Sequence, residues 1–394
     1  MSTARAADSP APDAVATALR EADFVRLYAR PTGDALAAAG LLARALRAAN
    51  VPFQVRTTRL DAVPEGDGTP FALGWTAANE TSIPTGDRPV SVAAAEVVAE
   101  LGPDPEPVVG LAGVIAAGTT PGAAGSGSLL DAADRLGAVE RRPGVAVPTA
   151  DASDGLAHST LLRSPVSGDE EAARALLGEL DYPAEPDEDA RRELASVVAL
   201  DATADAPERA AESVGHALQP HATPNGPFAT LGGYADVLSA TAREAPGLGV
   251  ALALGNDVAR EAALDAWRSH ATAAHGVLDG PETSRHDGVF VLRADADSES
   301  ASALSTAARL AGDFRSPEPV ALVVTDDAAA AAGTGDVDVT AALGAALADV
   351  TVAETAATPT EDGSVCGDAD LGDVRFDADD VESEEFIEAF RGTV

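Results

Sequence analysis

Runs of apolar residues, broken at regular intervals by turn residues, set the framework of this chain. After an Ala/Pro-rich, frayed beginning, Asp23 to Tyr28 reads as a first strand. Gly33 to Asn50 then has the apolar density and the helix-favouring Ala, Leu and Arg of a helix. Val51 to Arg56 reads as the next strand, and the three together make a βαβ unit, the building block of a parallel sheet. Pro70 to Leu73 comes next as a short buried strand, with helices at Val92 to Leu101, Val108 to Ala117 and Leu129 to Leu136.

A middle stretch carries helices at Glu170 to Leu180, Arg191 to Leu200 and Pro207 to Leu218, with a Pro/Asp-rich break at Asp181 to Asp189. The loop HATPNGP, 221–227, separates it from the last third of the chain. Helices are expected at Gly233 to Arg243, Leu248 to Leu254 and Asp257 to Leu278. The β-branched runs Gly288 to Arg293 and Val320 to Thr325 then predict strands, with the helix Ala301 to Ala311 between them. In the acidic end, Asp377 to Arg391, the helical spacing of Phe386, Ile387 and Phe390 predicts a docked terminal helix. The expected fold is α/β: a parallel-sheet domain over 1–150, a helical connecting region over 151–230, and a smaller mixed α/β accessory domain over 231–394. Two domains suit 394 residues, which is more than one hydrophobic core usually serves.

Charge changes the picture of where such a chain works. Against 64 acidic residues stand 26 basic ones, every one of them Arg, for a net charge of −38. Molar salt shortens the Debye length to about 3 Å and makes that surface tolerable, so a salt-adapted origin is inferred. Disorder, the other meaning of acidity, is excluded by the 46% apolar content. One cysteine, Cys366, rules out an intramolecular disulfide, and the opening residues lack the apolar core of a signal peptide. No segment approaches a membrane span, so a cytoplasmic protein without membrane partners is expected.

The segment LYARPTGDALAAAGLLARALRAANVPFQVR resembles the opening of the DHH phosphoesterase family, in particular archaeal RecJ-like proteins. AAEVVAELG, VVGLAGVIAAG, LLRSPVSGDEEAARALLGEL, GGYADVLSATAREAPGLGVALALGN, DFRSPEPVALVVTDD and VCGDADLGDVRFDADDVESEEFIEAF extend the likeness in family order across nearly the whole chain. The resemblance implies a DHH-like domain followed by a DHHA1-like accessory domain, with single-stranded nucleic acid threading a cleft between them in active members. It also implies a pair of Mn²⁺ or Mg²⁺ ions, which activate water and stabilise the phosphoryl oxygens. The family's first turn gives a His and two Asp to those ions. Here the aligned residues are Arg30, Thr32 and Asp34, so Asp34 alone is a remnant ligand.

The family's second Asp would fall near Gly74, where the nearest polar residues are Thr76 and Asn79, and the Asp-His-His motif is missing. None of His158, His216, His221, His270, His275 and His286 lies in the metal-binding region. An unorthodox site of Asp34, Asp61, Asp67 and Glu80 is set against the plainer expectation of solvated surface, and Asp34 against a cap for the helix that begins there. His270 and His275 are expected at the surface. The Gly-Gly-Tyr at Gly232 is read as a helix cap or tight turn rather than an anion site.

In the accessory domain, Cys366, Gly367 and Asp368 stand where relatives carry a Gly-Gly-His loop that cradles the nucleic-acid backbone, and a carboxylate there would repel phosphate. Arg243 and Arg315 fall at positions resembling backbone-contacting residues, against the alternative of salt bridges to nearby carboxylates. With Gly367 they are the candidate nucleic-acid contacts.

The first expectation is thus a non-catalytic RecJ-like subunit without a cofactor. The resemblance places it in replication or repair, with partners such as GINS-like replisome components or an active nuclease subunit. The alternative is an active Mn- or Mg-dependent single-strand exonuclease or oligonucleotide phosphodiesterase. Ranked below both is binding of single-stranded DNA or RNA without cleavage, because aromatics are 4% of the chain and molar salt weakens phosphate contacts.

Overall fold

The computed structural model describes all residues except 1–9, 61, 78–80, 84–87, 219, 296–297, 335–336, 352–364 and 378–380. Contacts divide the chain into two units. The first comprises Met1–Glu140, Thr223–Pro227 and Val237–Ala263; the second comprises Arg141–Ala222, Phe228–Asp236 and Leu264–Val394.

The first unit opens with α1 (Pro12–Glu21), so the beginning read as frayed is helical from Pro12, with Val15, Ala16 and Leu19 buried. Strand β1 (Val25–Ala29), α2 (Gly33–Ala48) and β2 (Phe53–Thr57) form the expected βαβ unit. With β3 (Thr69–Leu73) and β4 (Thr81–Ile83) they give a four-stranded sheet in the order β2-β1-β3-β4, parallel throughout. Helices α3 (Val90–Leu101), α4 (Pro107–Ala116) and α5 (Gly127–Arg135) come next. Helix α2 is buried on almost every side, which explains its alanines and glycines. A Cβ on Gly40 would lie 2.3 Å from the Ala253 Cβ, and one on Gly113 would lie 2.7 Å from the Ala37 Cβ, so close helix crossings fix these residues.

Beyond them lie the two-residue strand β5 (Glu140–Arg141) and helices α6 (Ala152–His158), α7 (Glu170–Glu179), α8 (Glu188–Thr203) and α9 (Ala210–Ala217). Asp151, Asp169 and Asp187 cap α6, α7 and α8 by accepting from backbone N–H groups of the first turns. After β6 (His221–Ala222) come α10 (Leu231–Glu244), α11 (Pro246–Ala253) and α12 (Arg260–Val277), and the division between units runs through α10 and α12. The Gly-Gly-Tyr segment lies inside the first turn of α10. A Cβ on Gly233 would come within 2.2 Å of the Val147 and Pro148 backbone, so that glycine serves a close approach.

The rest of the second unit is built from β7 (Glu282–His286), β8 (Val289–Arg293), α13 (Leu304–Phe314), β9 (Val320–Val324), β10 (Ala328–Gly333), α14 (Val339–Val350), β11 (Val365–Gly367), β12 (Leu371–Arg375) and α15 (Ser383–Arg391). The six strands form one mixed sheet in the order β11-β12-β10-β9-β8-β7, with β8 and β9 parallel and the other pairs antiparallel. Ala328, Ala330 and Ala332 join the core that contains Leu304 and Leu310 of α13. Ala329 and Ala331 join the opposite core, with Leu343 of α14 and Phe386, Ile387 and Phe390 of α15. The expected α/β architecture is therefore present: a parallel-sheet first part and a mixed α/β C-terminal part.

Candidate functional site

The first turn, between β1 and α2, is where the resemblance expects metal ligands. Thr32 caps α2, accepting from the Ala35 N–H at 3.3 Å. Asp34 therefore does not cap its own helix. Its carboxylate is buried and accepts from the Val90 N–H at 2.6 Å and the Ser91 N–H at 2.9 Å, so it caps α3 from 56 residues away. Burial raises the Asp34 carboxyl to about 6, against the opposing pull of those N–H donors.

Arg30 stands where the family's His falls and is also buried. Its guanidinium lies over the Trp75 ring at 4.6 Å, and Nη1 donates to the Arg59 carbonyl at 2.7 Å and the Leu60 carbonyl at 3.3 Å. Gly74, near the expected second Asp, has φ +100°, and a Cβ there would lie 3.0 Å from the Arg30 Cγ. Of the other carboxylates considered with Asp34, Asp67 is exposed, and Asp61 and Glu80 lie outside the described residues, as does Asn79. Thr76 is exposed. Among the described residues no group of three or more His, Cys, Asp or Glu is placed to hold a metal ion.

A Mn²⁺ or Mg²⁺ pair needs several hard oxygen or imidazole donors converging on each ion. The turn instead offers one carboxylate already bonded through both oxygens, and a guanidinium. These residues do not fit the metal pair.

Arg243 lies half-buried in the last turn of α10, in the first unit. Arg315 follows α13 in the second unit. It donates to the Leu278 carbonyl at 2.5 Å, an acceptor that is a backbone group rather than a carboxylate. Burial lowers the Arg315 pKa, and the charge of Arg163 adds to the effect. Arg163 and Arg315 line a cavity of about 800 Å³ with Ser164, Ser167, Asp201 and Asp205.

Gly367 ends β11 with φ +153°. A Cβ there would come 2.2 Å from the Leu371 carbonyl oxygen, so the hairpin itself requires glycine. Asp368 accepts from the Asp370 and Leu371 N–H groups at 3.1 and 3.0 Å, closing the turn to β12.

His270 and His275, expected at the surface, are both buried. The buried positions of α12 include Leu264, Trp267, His270, Ala271, Ala274 and His275, a stripe wide enough to take in both histidines. His270 Nε2 meets the Thr306 hydroxyl at 2.9 Å. His275 Nε2 meets the Ser159 carbonyl at 3.0 Å, and burial lowers the His275 pKa to about 4.

Sequence reasoning also missed an ion network in the second unit. Arg268 grips Asp154 with Nε at 2.9 Å and Nη2 at 3.0 Å, and His158 Nδ1 lies 3.1 Å from the same carboxylate. Burial raises the Asp154 pKa, but the His158 and Arg268 hydrogen bonds and charges outweigh it and hold the carboxyl well below its usual range. For His158, burial lowers the pKa, and the Asp154 hydrogen bonds and charge turn the net shift upward. The spacing of Asp154 and His158, one helical turn apart, was the available signal.

These features define a class: a RecJ-like α/β fold whose first turn keeps a single ligand-type side chain. The fold likeness extends over whole chains. CDC45 from Entamoeba histolytica superposes with a TM-score of 0.57 at 8% identity, over 97% of this chain and 98% of that one. RecJ from Thermus thermophilus, in complex with Mn²⁺, superposes with a TM-score of 0.52 at 12% identity. That match covers 97% of this chain and 53% of RecJ, so the chain spans about half of RecJ's length. The uncharacterized protein rrnAC1427 of Haloarcula marismortui is 47% identical over 391 residues, covering 97% of this chain and 96% of that protein. Residues 281–392 match the family described as uncharacterized protein rrnAC1427, C-terminal domain. The chain belongs to the rrnAC1427 family.

Proposed function

We propose that this chain is a non-catalytic RecJ-like subunit that works through protein partners in a replication or repair assembly. The observation that carries the reading is Asp34: the one ligand-type side chain left in the first turn is buried, and both its oxygens are engaged by the start of α3. A carboxylate in that role holds two helices together, with each oxygen engaged by a backbone N–H. The partners implied by the family resemblance are GINS-like replisome components or an active nuclease subunit. The whole-chain likeness to CDC45 supports a use of the fold that leaves both units intact. Arg243, Arg315 and Gly367 are secondary contacts to single-stranded DNA or RNA in this reading.

The test is hydrolysis of end-labelled single-stranded DNA and RNA by the purified chain in molar KCl with Mn²⁺. It is run beside affinity purification of the tagged chain from a haloarchaeal host. The expected result is no cleavage above background, with replisome or nuclease subunits retained through molar-salt washes. Mn²⁺-dependent cleavage abolished by Asp34→Ala would establish the metal-dependent phosphodiesterase instead.

A further inference from the structure

Two arginines, one on β1 and one just past its end, at the turn where the family resemblance expects metal ligands, reach backbone carbonyls of the chain that follows β2. Arg26, Tyr28 and Arg30 alternate along the chain here, so they share one face of the sheet. Arg30 reaches the Arg59 and Leu60 carbonyls, while Arg26 reaches the Pro64 carbonyl at 2.9 Å, the Gly66 carbonyl at 3.0 Å and the Tyr28 hydroxyl at 3.0 Å. Both guanidinium groups also lie over rings, Arg26 over Tyr28 at 5.6 Å and Arg30 over Trp75 at 4.6 Å. Tyr28 and Trp75 pack with Ala72, Ala77 and the partly buried Val63 in a small apolar cluster beneath these contacts.

Glycines make room for both side chains. A Cβ on Gly66 would lie 2.7 Å from Arg26 Nη1, and one on Gly74 would lie 3.0 and 3.2 Å from Cγ and Cβ of Arg30. The position near which the family's second Asp falls is thus filled by the Arg30 stem, at a backbone angle that side chains rarely adopt.

We propose that Arg26 and Arg30 form a resident cationic clasp, which holds Arg59, Leu60, Pro64 and Gly66 onto β1 through their backbone carbonyls and excludes divalent metal from the first turn. An arginine keeps its charge at any physiological pH, and its planar fork binds two carbonyls at once. The site is therefore refilled rather than vacated. A divalent ion entering beside Arg30 would meet a fixed positive charge and, among the described residues, no cluster of carboxylates. The inference deepens the non-catalytic reading, on which its claim of metal exclusion rests.

The test is hydrogen exchange of the amides in 59–66 in molar KCl, with added Mn²⁺ or EDTA. It compares the wild-type chain with Arg30→Ala, Arg30→Lys and Arg26→Ala. The clasp requires wild-type exchange to be the same with Mn²⁺ and with EDTA. Arg30→Ala should accelerate exchange in 59–66 by about tenfold or more while the six-stranded sheet is unchanged. Arg30→Lys should recover little of this protection, because lysine keeps the charge without the fork or the stacked plane.

Unchanged exchange in Arg30→Ala, or full protection in Arg30→Lys, overturns the clasp. If Arg30→Ala does not fold, Arg26→Ala is read the same way over 63–66. A hydrolysis assay on the same wild-type sample separates the two claims. Cleavage with EDTA-sensitive exchange overturns both. Cleavage with EDTA-insensitive exchange overturns the non-catalytic reading and the claim of metal exclusion that rests on it, but not the hold of the arginines on the carbonyls, and unchanged exchange in Arg30→Ala without wild-type cleavage overturns the clasp alone.

Discussion

Single side chains in this molecule show how differently burial treats carboxylates and imidazoles. Asp34 has a folded-state pKa of about 6, above the ordinary value of 3.8, so the native state holds this proton more tightly than the unfolded chain does. Its linked stability is present at low pH and lost as pH rises from about 4 to about 6, a difference that corresponds to about 3 kcal/mol. Denaturant titrations of wild type and Asp34→Asn in molar KCl should differ by a pH-dependent amount of that size, reached by about pH 7 and constant above it. His158 shifts in the same direction, since its folded pKa lies above 6.5. Its contribution is full below pH 6.5 and disappears as pH rises through the folded value. Wild type should thus lose stability relative to His158→Gln as pH rises above about 6.5. The sequence exposed the loss of the family's His and Asp at the first turn, because those are matters of residue identity. It hid the destination of Asp34, because the N–H groups it caps lie 56 residues on, and no local pattern marks that pairing. Arg26 and Arg30 did leave a trace, as two charges on either side of Tyr28 at every second position, the first within an otherwise apolar strand and the second just past it.

Elements were legible where their apolar spacing was long and regular. The βαβ unit, α7, α8, α12 and α15 lie close to their expected ranges, and β8 and β9 are where β-branched residues put them. Strand β10 was illegible because Ala328 to Ala332 is a run of five alanines, a composition that favours helix, yet it lies beside β9 in the middle of a six-stranded sheet. Tertiary packing overrides that preference. Each alanine methyl faces a helix-bearing core, and α13 comes so near that a Cβ on Gly312 would lie 3.5 Å from the Ala332 Cβ. Strand β10 is therefore selected for thinness rather than for β propensity. Ala330→Leu should overpack this layer and cost about 1–3 kcal/mol, read as a lower denaturation midpoint with an unchanged slope. Ala330→Val adds less volume and a β-branched side chain, and its midpoint should lie between those of wild type and Ala330→Leu.

For the whole molecule, the ordered series of family-like segments made the two-part α/β architecture readable, since the order of segments constrains topology even where no single motif is strong. The decisive bulk property is the combination of a −38 charge with cores rich in alanine. Small side chains bury little apolar surface per residue, at about 25 cal/mol per Å², so the margin left to offset self-repulsion is narrow. Two effects of salt then stabilise the fold, and they separate by range and by ion. Screening shortens the Debye length from about 10 Å at 0.1 M to about 3 Å at 1 M, so its contribution should be largely complete by 1 M and equal for salts of equal ionic strength. Strengthened apolar burial continues beyond that range and depends on the anion, with sulfate exceeding chloride. The melting temperature should therefore rise steeply in KCl up to about 1 M and keep rising more slowly to about 3 M, and potassium sulfate at equal ionic strength should separate from KCl only in the upper range. A melting temperature that levels off at about 1 M with no difference between the anions would assign the whole salt requirement to the acidic surface and none to the alanine-rich cores.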